Sequence, residues 1–180
     1  MHNDGILVKE NALSFDEISQ ILNSGDLAFK KASVLSQGDC LGRLSNYRRV
    51  WTATFIDNDL TEKLNQLFKE ASNIFNISFD SSLTELAIMR YKSDDYGHYG
   101  WHVDTIDDSE IKKNRKLSMT IVLDKNYTGG SLCFENKKFE NLNAGTCVIF
   151  SSALKHCVEP VISGTRHSLV SWAYEKALDY

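Results

Sequence analysis

Proline is nearly absent. Pro160 is the only one in 180 residues, and no Gly/Ser tract, repeat or low-complexity run takes its place. Nothing therefore marks a linker between two domains, and the length suits one domain with a real core, residues 1–180. Cysteine is also scarce. Cys40, Cys133, Cys147 and Cys157 include no pair with a two-residue gap, which excludes a zinc-ribbon or thioredoxin-type motif. No apolar run is long enough to span a bilayer. Met1–Gly5 lacks a basic stretch leading into an apolar one, so no secretory signal is expected. The cysteines then read as reduced thiols of a cytoplasmic protein. Positive charge is in deficit too, with 20 Lys and Arg against 24 Asp and Glu and a net charge of −4. That balance argues against nucleic acid or an anionic membrane as the main partner. The one dense basic run, Lys112-Lys113-Asn114-Arg115-Lys116, reads as a solvated loop. Composition leaves the oligomeric state open.

The sequence does contain a change of period near residue 84. Ahead of it, Ile6-Leu7-Val8 reads as a short strand. Ser14-Phe15-Asp16-Glu17 matches a capping box. Phe15, Ile18, Ile21 and Leu22 follow at helical spacing with Gly25 as terminator, predicting a helix over 15–23. Ala28–Leu35 is a candidate strand, and Arg48–Ile56 has the β-branched and aromatic content of another. Leu60, Leu64, Leu67, Phe68, Ala71 and Phe75 form the apolar stripe of a second helix over 59–75, capped by Asn58 or Asp59.

Beyond residue 84 the pattern is short strands: 85–91, 99–104, 117–123, 131–134, 138–142, 146–150, 156–162 and 166–174. Gly129-Gly130, Asn143-Ala144-Gly145 and Ser163-Gly164 supply the breaks. Many short strands imply a sandwich or barrel, with the two helices covering one outer face. The expected fold is mainly β with N-terminal supporting helices, 1–83 as support and 84–175 as core. Thr105–Lys116 has no such pattern and reads as a mobile lid.

Trp101-His102-Val103-Asp104 carries the chemistry. In a strand, residues two apart share a face, so His102 and Asp104 point together. An imidazole and a carboxylate on one face are two of the three ligands of a 2-His-1-carboxylate iron site. His156, on a later strand, is the candidate third. Arg166, Ser168 and Val170 also share a face, and a guanidinium turned into a barrel needs an anionic partner. A ligand carboxylate fits it in bidentate fashion. A surface arginine beside an acidic residue is the plainer reading of Arg166 alone.

The ordered set of motifs resembles the Fe(II)/2-oxoglutarate-dependent dioxygenases of the prolyl 4-hydroxylase-like branch. The resemblance runs from Met89-Arg90-Tyr91 through Gly97-His98-Tyr99-Gly100-Trp101-His102-Val103-Asp104, Leu117-Ser118-Met119-Thr120-Ile121-Val122-Leu123 and Tyr127-Thr128-Gly129-Gly130-Ser131-Leu132. It continues through Gly145-Thr146-Cys147-Val148-Ile149-Phe150 and His156-Cys157-Val158-Glu159-Pro160-Val161. It closes with Gly164-Thr165-Arg166-His167-Ser168-Leu169 and Trp172. It implies a double-stranded β-helix, or jelly-roll, core. By resemblance, His102, Asp104 and His156 are iron ligands and catalytic residues, and Arg166, Tyr91 and Ser168 bind the cosubstrate. Tyr99 and Trp172 are expected to be packing residues.

The implied reaction hydroxylates an unactivated C–H bond of an amino acid, a prolyl or peptidyl group or another small molecule. It consumes O₂ and 2-oxoglutarate and releases succinate and CO₂, with ascorbate as a candidate reductant. Two alternatives stay open: a catalytically silent jelly-roll binding protein, and a cupin-type metalloenzyme that uses no 2-oxoglutarate. Arg48 and Arg49 read first as surface residues and second as substrate contacts. His98 and His167 read as non-ligand histidines, and Cys157 as a small buried residue facing away from His156. The substrate itself is not legible.

Overall fold

Period-two alternation sorts the apolar side chains of this chain into two layers. In the computed structural model, residues 4–24, 27–32, 47–105 and 114–175 are described. The elements run β1 (Ile6–Lys9), α1 (Phe15–Asn23), β2 (Lys30–Lys31), β3 (Arg48–Arg49), β4 (Trp51–Thr54), α2 (Asn58–Phe75) and β5 (Asp80–Lys92). After a 3₁₀ turn at Ser93–Asp95 come β6 (His98–His102), β7 (Arg115–Val122), β8 (Tyr127–Gly129), β9 (Leu132–Phe134), β10 (Lys137–Phe139), β11 (Cys147–Ser151), β12 (His156–Val158) and β13 (Val161–Tyr174). The large sheet has the order β1-β11-β7-β13-β5-β4-β2, with β8 joined to β13. The small sheet has the order β10-β9-β12-β6-β3. From β5 onward the chain passes back and forth between the two sheets, as in a double-stranded β-helix.

Alternate residues of the large sheet serve different layers. Leu86 and Ile88 of β5, Cys147 and Ile149 of β11, and Leu169 and Ala173 of β13 pack outward with Ile18 and Ile21 of α1 and Leu60, Leu64, Phe68 and Ala71 of α2. Met89 and Tyr91, Val148 and Phe150, and Val170 and Trp172 point between the sheets, toward Leu132, Phe134 and Val158. The helices therefore cover one face of the large sheet, and the small sheet closes the other.

The helix ends follow from their caps. Ser14 Oγ accepts from the Glu17 backbone N–H, and Glu17 accepts from the Ser14 N–H in return, at 2.7 Å. The second helix is capped by Asp57, which accepts from the Leu60 N–H at 2.9 Å; the expected caps, Asn58 and Asp59, already lie inside the helix.

Several strand boundaries differ from the expectation. Arg48–Ile56 is not one strand: β3 pairs with β6 in the small sheet, and β4 with β5 in the large one. The chain crosses between sheets at Val50, whose side chain is fully buried. The strand expected over 28–35 is observed only as Lys30–Lys31; residues 33–35 lie outside the described residues, as do Gly25 and Cys40. Ser163-Gly164 does not break β13, because Gly164 takes φ +74° within the strand. Of the expected lid, 106–113 lie outside the described residues, and Arg115 and Lys116 belong to β7.

Candidate metal centre

β6 and β12 are antiparallel neighbours, and His102 and His156 are register partners across them. Their rings lie 4.1 Å apart, centroid to centroid. Each ring is turned by its own backbone. His102 Nδ1 is 2.7 Å from Gly100 O, and His156 Nδ1 is 2.9 Å from Leu154 O. A carbonyl only accepts, so Nδ1 carries a proton in both rings, and Nε2 is the nitrogen left to offer a lone pair to a metal. Those two Nε2 atoms face Asp104. His102 Nε2 is 3.5 Å from Oδ1, and His156 Nε2 is 3.7 Å from Oδ2. The three ligand atoms lie within 4.8 Å of one another, the only such group among the described residues. Two neutral imidazole nitrogens and a carboxylate oxygen form the donor set suited to Fe(II).

Asp104 is not held as expected. β6 ends at His102, and the Asp104 backbone N–H donates to Ser152 O at 2.9 Å. Its side chain is fixed from the opposite sheet, where Trp172 Nε1 donates to Oδ2 at 3.0 Å. Trp172 had been expected as packing alone. It stands in phase with Arg166 and Ser168 on β13, and that phase was the available signal. Arg115 stacks on the Trp172 ring at 3.9 Å and pairs with Glu85 at 3.4 Å, so this residue of the basic run is built into the wall and is not part of a solvated loop. Burial pushes the Asp104 carboxyl up. Its contact with His102, the fields of both histidines and the Ser118 hydroxyl outweigh this and hold it well below the usual carboxylate range. Burial pushes His156 below its ordinary value, which favours the neutral ligand form.

A β-bulge places Tyr99. The register shifts between the His156↔His102 and Val158↔Tyr99 pairs, so Tyr99 and His102, three residues apart, both turn inward. Their rings stack with centroids 3.6 Å apart. Gly100 sits in this bulge under Tyr47, where a Cβ would come within 2.8 Å of the ring. Burial raises the Tyr99 phenol to about 12, so it remains neutral. Phe150 meets the His156 ring edge-on at 4.6 Å, and Phe134 lies behind it at 5.9 Å.

Arg166 lies at the far side of the same space. It is 2% exposed, its Nη1 donates to Ser168 Oγ at 3.1 Å, and its Nε has no partner. It forms no ion pair with any described residue. Its guanidinium carbon is 5.2 Å from the Tyr91 ring centre. Gly130 lets the chain pass this close: at φ +64°, a Cβ there would meet Arg166 Cδ at 2.9 Å.

One cavity of about 160 Å³ is lined by His102, Asp104, His156, Arg166, Tyr91 and Ser168, and also by Arg48, Tyr99, Arg115 and Trp172. The two early arginines part company here. Arg48 lines the cavity, whereas Arg49 donates to Asp95 O at 3.4 Å outside it. His167 is paired with Asp124 at 2.5 Å, away from the cavity. A larger open groove of about 710 Å³ between α1, α2 and the end of β4 is lined by none of these residues.

Residues 86–174 match the family model described as the 2OG-Fe(II) oxygenase superfamily. Among curated proteins, a PKHD-type hydroxylase of Synechococcus sp. (strain CC9605) is 41% identical over 91 residues, covering 45% of this chain and 39% of that protein. A PKHD-type hydroxylase of Prochlorococcus marinus (strain AS9601) is 32% identical over 130 residues, covering 68% of this chain and 59% of its own length. The chain thus spans well under two thirds of either relative. A solved structure of the viral collagen prolyl hydroxylase of Paramecium Bursaria Chlorella virus-1, as a 2OG complex, has a TM-score of 0.70 at 18% identity, covering 97% of this chain and 98% of that one. That likeness is one of fold.

Proposed function

This chain belongs to the 2OG-Fe(II) oxygenase superfamily, and from that premise we propose that it is an Fe(II)- and 2-oxoglutarate-dependent hydroxylase acting on an amino acid, a prolyl or peptidyl group or a similar small molecule. One observation carries the reading. A three-residue cluster able to hold a metal and a fully buried guanidinium with no anionic partner among the described residues line the same cavity. The first is what Fe(II) requires, and the second is what the distal carboxylate of 2-oxoglutarate would neutralise. The donor set and the unpartnered Arg166 Nε both fit these groups.

In this reading His102, His156 and Asp104 hold the metal, and Arg166, Ser168 and Tyr91 hold the cosubstrate. Fe(II) and 2-oxoglutarate together supply activation of O₂, so that one oxygen atom enters a C–H bond and 2-oxoglutarate leaves as succinate and CO₂. The protein supplies orientation and exclusion of water. The Gly100 and Leu154 carbonyls fix the histidine tautomers. Trp172 donates to Asp104 Oδ2 and so orients the carboxylate that would hold the metal. Phe150, Leu132 and Val158 give the histidine side of the cavity an apolar wall, backed by Phe134 behind the His156 ring, that keeps water from the reacting centre. We further read residues 1–180 as one domain and place it in the cytoplasm, with its cysteines as reduced thiols. No helix among the described residues is long and apolar enough to cross a membrane.

The test is consumption of 2-oxoglutarate and formation of succinate by Fe(II)-loaded protein, with candidate substrates scored by gain of one oxygen mass. Turnover that requires Fe(II) and is lost in His156→Ala supports the proposal. Full turnover in that variant, or no 2-oxoglutarate binding by the unmodified protein, refutes it. The second result would return the chain to a binding role or to metal chemistry without 2-oxoglutarate.

A further inference from the structure

Three arginines line the cavity, and they differ in what they touch. Arg115 is satisfied: it pairs with Glu85, donates to the Tyr174 hydroxyl at 3.4 Å and stacks on Trp172. Arg166 is the cosubstrate anchor in the reading above. Arg48 has no assigned role. Among the described residues its Nε is buried without a partner, and its Nη2 reaches only the Met89 sulfur, at 3.8 Å. Thioether sulfur is a weak acceptor. Arg48 makes no ion pair with any described residue. Asp104, the one carboxylate among the described residues that line the cavity, is already engaged by Trp172 and the two histidines.

Position and charge then narrow what Arg48 can bind. Its guanidinium carbon lies 4.3 Å from the Tyr99 ring centre, and that ring lies 3.6 Å from His102, so the cation stands no more than about 8 Å from a metal-ligand ring. With Fe(II), the Asp104 carboxylate, dianionic 2-oxoglutarate and the guanidinium groups of Arg48 and Arg166 in place, the described lining of the cavity retains one positive charge. A half-buried guanidinium is best neutralised by a carboxylate, which it meets with two parallel hydrogen bonds. A mid-chain prolyl residue brings no charge. A small acid brings its carboxylate and its reacting carbon on one short skeleton, at the reach the structure sets.

We propose that Arg48 is the substrate-carboxylate anchor, and that the hydroxylated substrate is a small carboxylic acid of about free amino-acid size. The proposal rests on the oxygenase reading and adds the substrate class to it.

The experiment uses Zn(II)-loaded full-length protein, so that nothing turns over. Binding of 2-oxoglutarate is measured first; its absence overturns the oxygenase reading, and this proposal with it. With 2-oxoglutarate saturating, a panel of free L-amino acids, acetate and benzoate is then compared by calorimetry and thermal shift, each acid against its primary amide. At least one acid should bind about tenfold or more tightly than its amide. Arg48→Met should abolish that preference, and Arg48→Lys should keep part of it, while 2-oxoglutarate affinity stays unchanged in both. The proposal is overturned if no acid outperforms its amide in the unmodified protein, a comparison that needs no variant to fold. It is also overturned if Arg48→Met retains the preference, or if that variant loses 2-oxoglutarate, which would assign Arg48 to the cosubstrate.

Discussion

Replacing Arg166 with methionine should affect the protein in opposite directions with and without 2-oxoglutarate. Arg166 is 2% exposed, and among the described residues its guanidinium bonds only to Ser168 Oγ, with its Nε unpartnered. An uncompensated buried charge costs a folded protein about 3–5 kcal/mol, and an apolar side chain of similar length removes that cost. Some of the gain is lost to imperfect packing, so the cosubstrate-free variant should be about 1–3 kcal/mol more stable than the unmodified protein. For a chain of this size that raises the melting temperature by roughly 2–4 °C per kcal/mol. With 2-oxoglutarate the effect of the substitution on binding is opposite in sign. A charge-assisted hydrogen bond to a buried carboxylate contributes about 1.5–3 kcal/mol, so the variant should bind 2-oxoglutarate about ten- to a hundredfold more weakly. Thermal unfolding of Zn(II)-loaded protein, scanned against 2-oxoglutarate concentration, reads both effects at once. A variant several degrees less stable on its own, yet equally stabilised by 2-oxoglutarate, would show Arg166 to be a structural residue and refute the argument.

Two further outcomes follow from the same cavity. Trp172→Phe keeps the ring and removes the N–H that holds Asp104 Oδ2; metal affinity by calorimetry should fall about ten- to a hundredfold while the circular dichroism spectrum is kept, and an unchanged affinity would reduce Trp172 to packing. His156 has a folded-state pKa below its ordinary 6.5 because burial disfavours the cation. The unfolded chain therefore binds the proton first as pH falls, and the stability of metal-free protein should be full above 6.5 and decline below it, through the folded pKa. Urea midpoints across that range should show a smaller decline in His156→Gln than in the unmodified chain.

The residues legible in the sequence are those on regular strands. Arg166, Ser168 and Trp172 keep strict alternation along β13, so their common face could be read from spacing alone. Tyr99 could not be placed in this way, because the bulge at Gly100 and Trp101 lets residues three apart share a face, and spacing does not announce a bulge. Asp104 was assigned correctly to the His102 side, but for an incomplete reason: it lies beyond the strand, and its direction comes from Ser152 and Trp172, two contacts distant in sequence. Arg48 and Arg49 looked equivalent in a continuous strand. They are neighbours on β3, so alternation sends them to opposite faces, and only the pairing of β3 with β6 in the small sheet decides that Arg48 is the one turned to the cavity. Local chemistry was the most dependable guide, as the capping box of α1 shows, since both of its partners lie within four residues.

The long strand β13 unites the two halves of the site. It spans 14 residues and pairs with β5 from Thr165 to Tyr174 and with β7 from Ser168 to Tyr174, so its register is fixed on both sides from Ser168 onward. Arg166 and Trp172 are six residues apart on it, roughly 20 Å of strand. One long side chain on it thus ends at the proposed cosubstrate anchor and another at the Asp104 carboxylate. The three candidate metal ligands come from the small sheet and the stretch after β6. The large sheet therefore orients a site whose ligands it does not supply. A one-residue slip of β13 would turn Arg166, Ser168 and Trp172 out of the cavity together. Cosubstrate anchoring and carboxylate orientation are for this reason a single property of one strand's register. A substitution that loosens β13 far from the cavity, such as a charge at fully buried Leu169, should lower metal and 2-oxoglutarate affinity together.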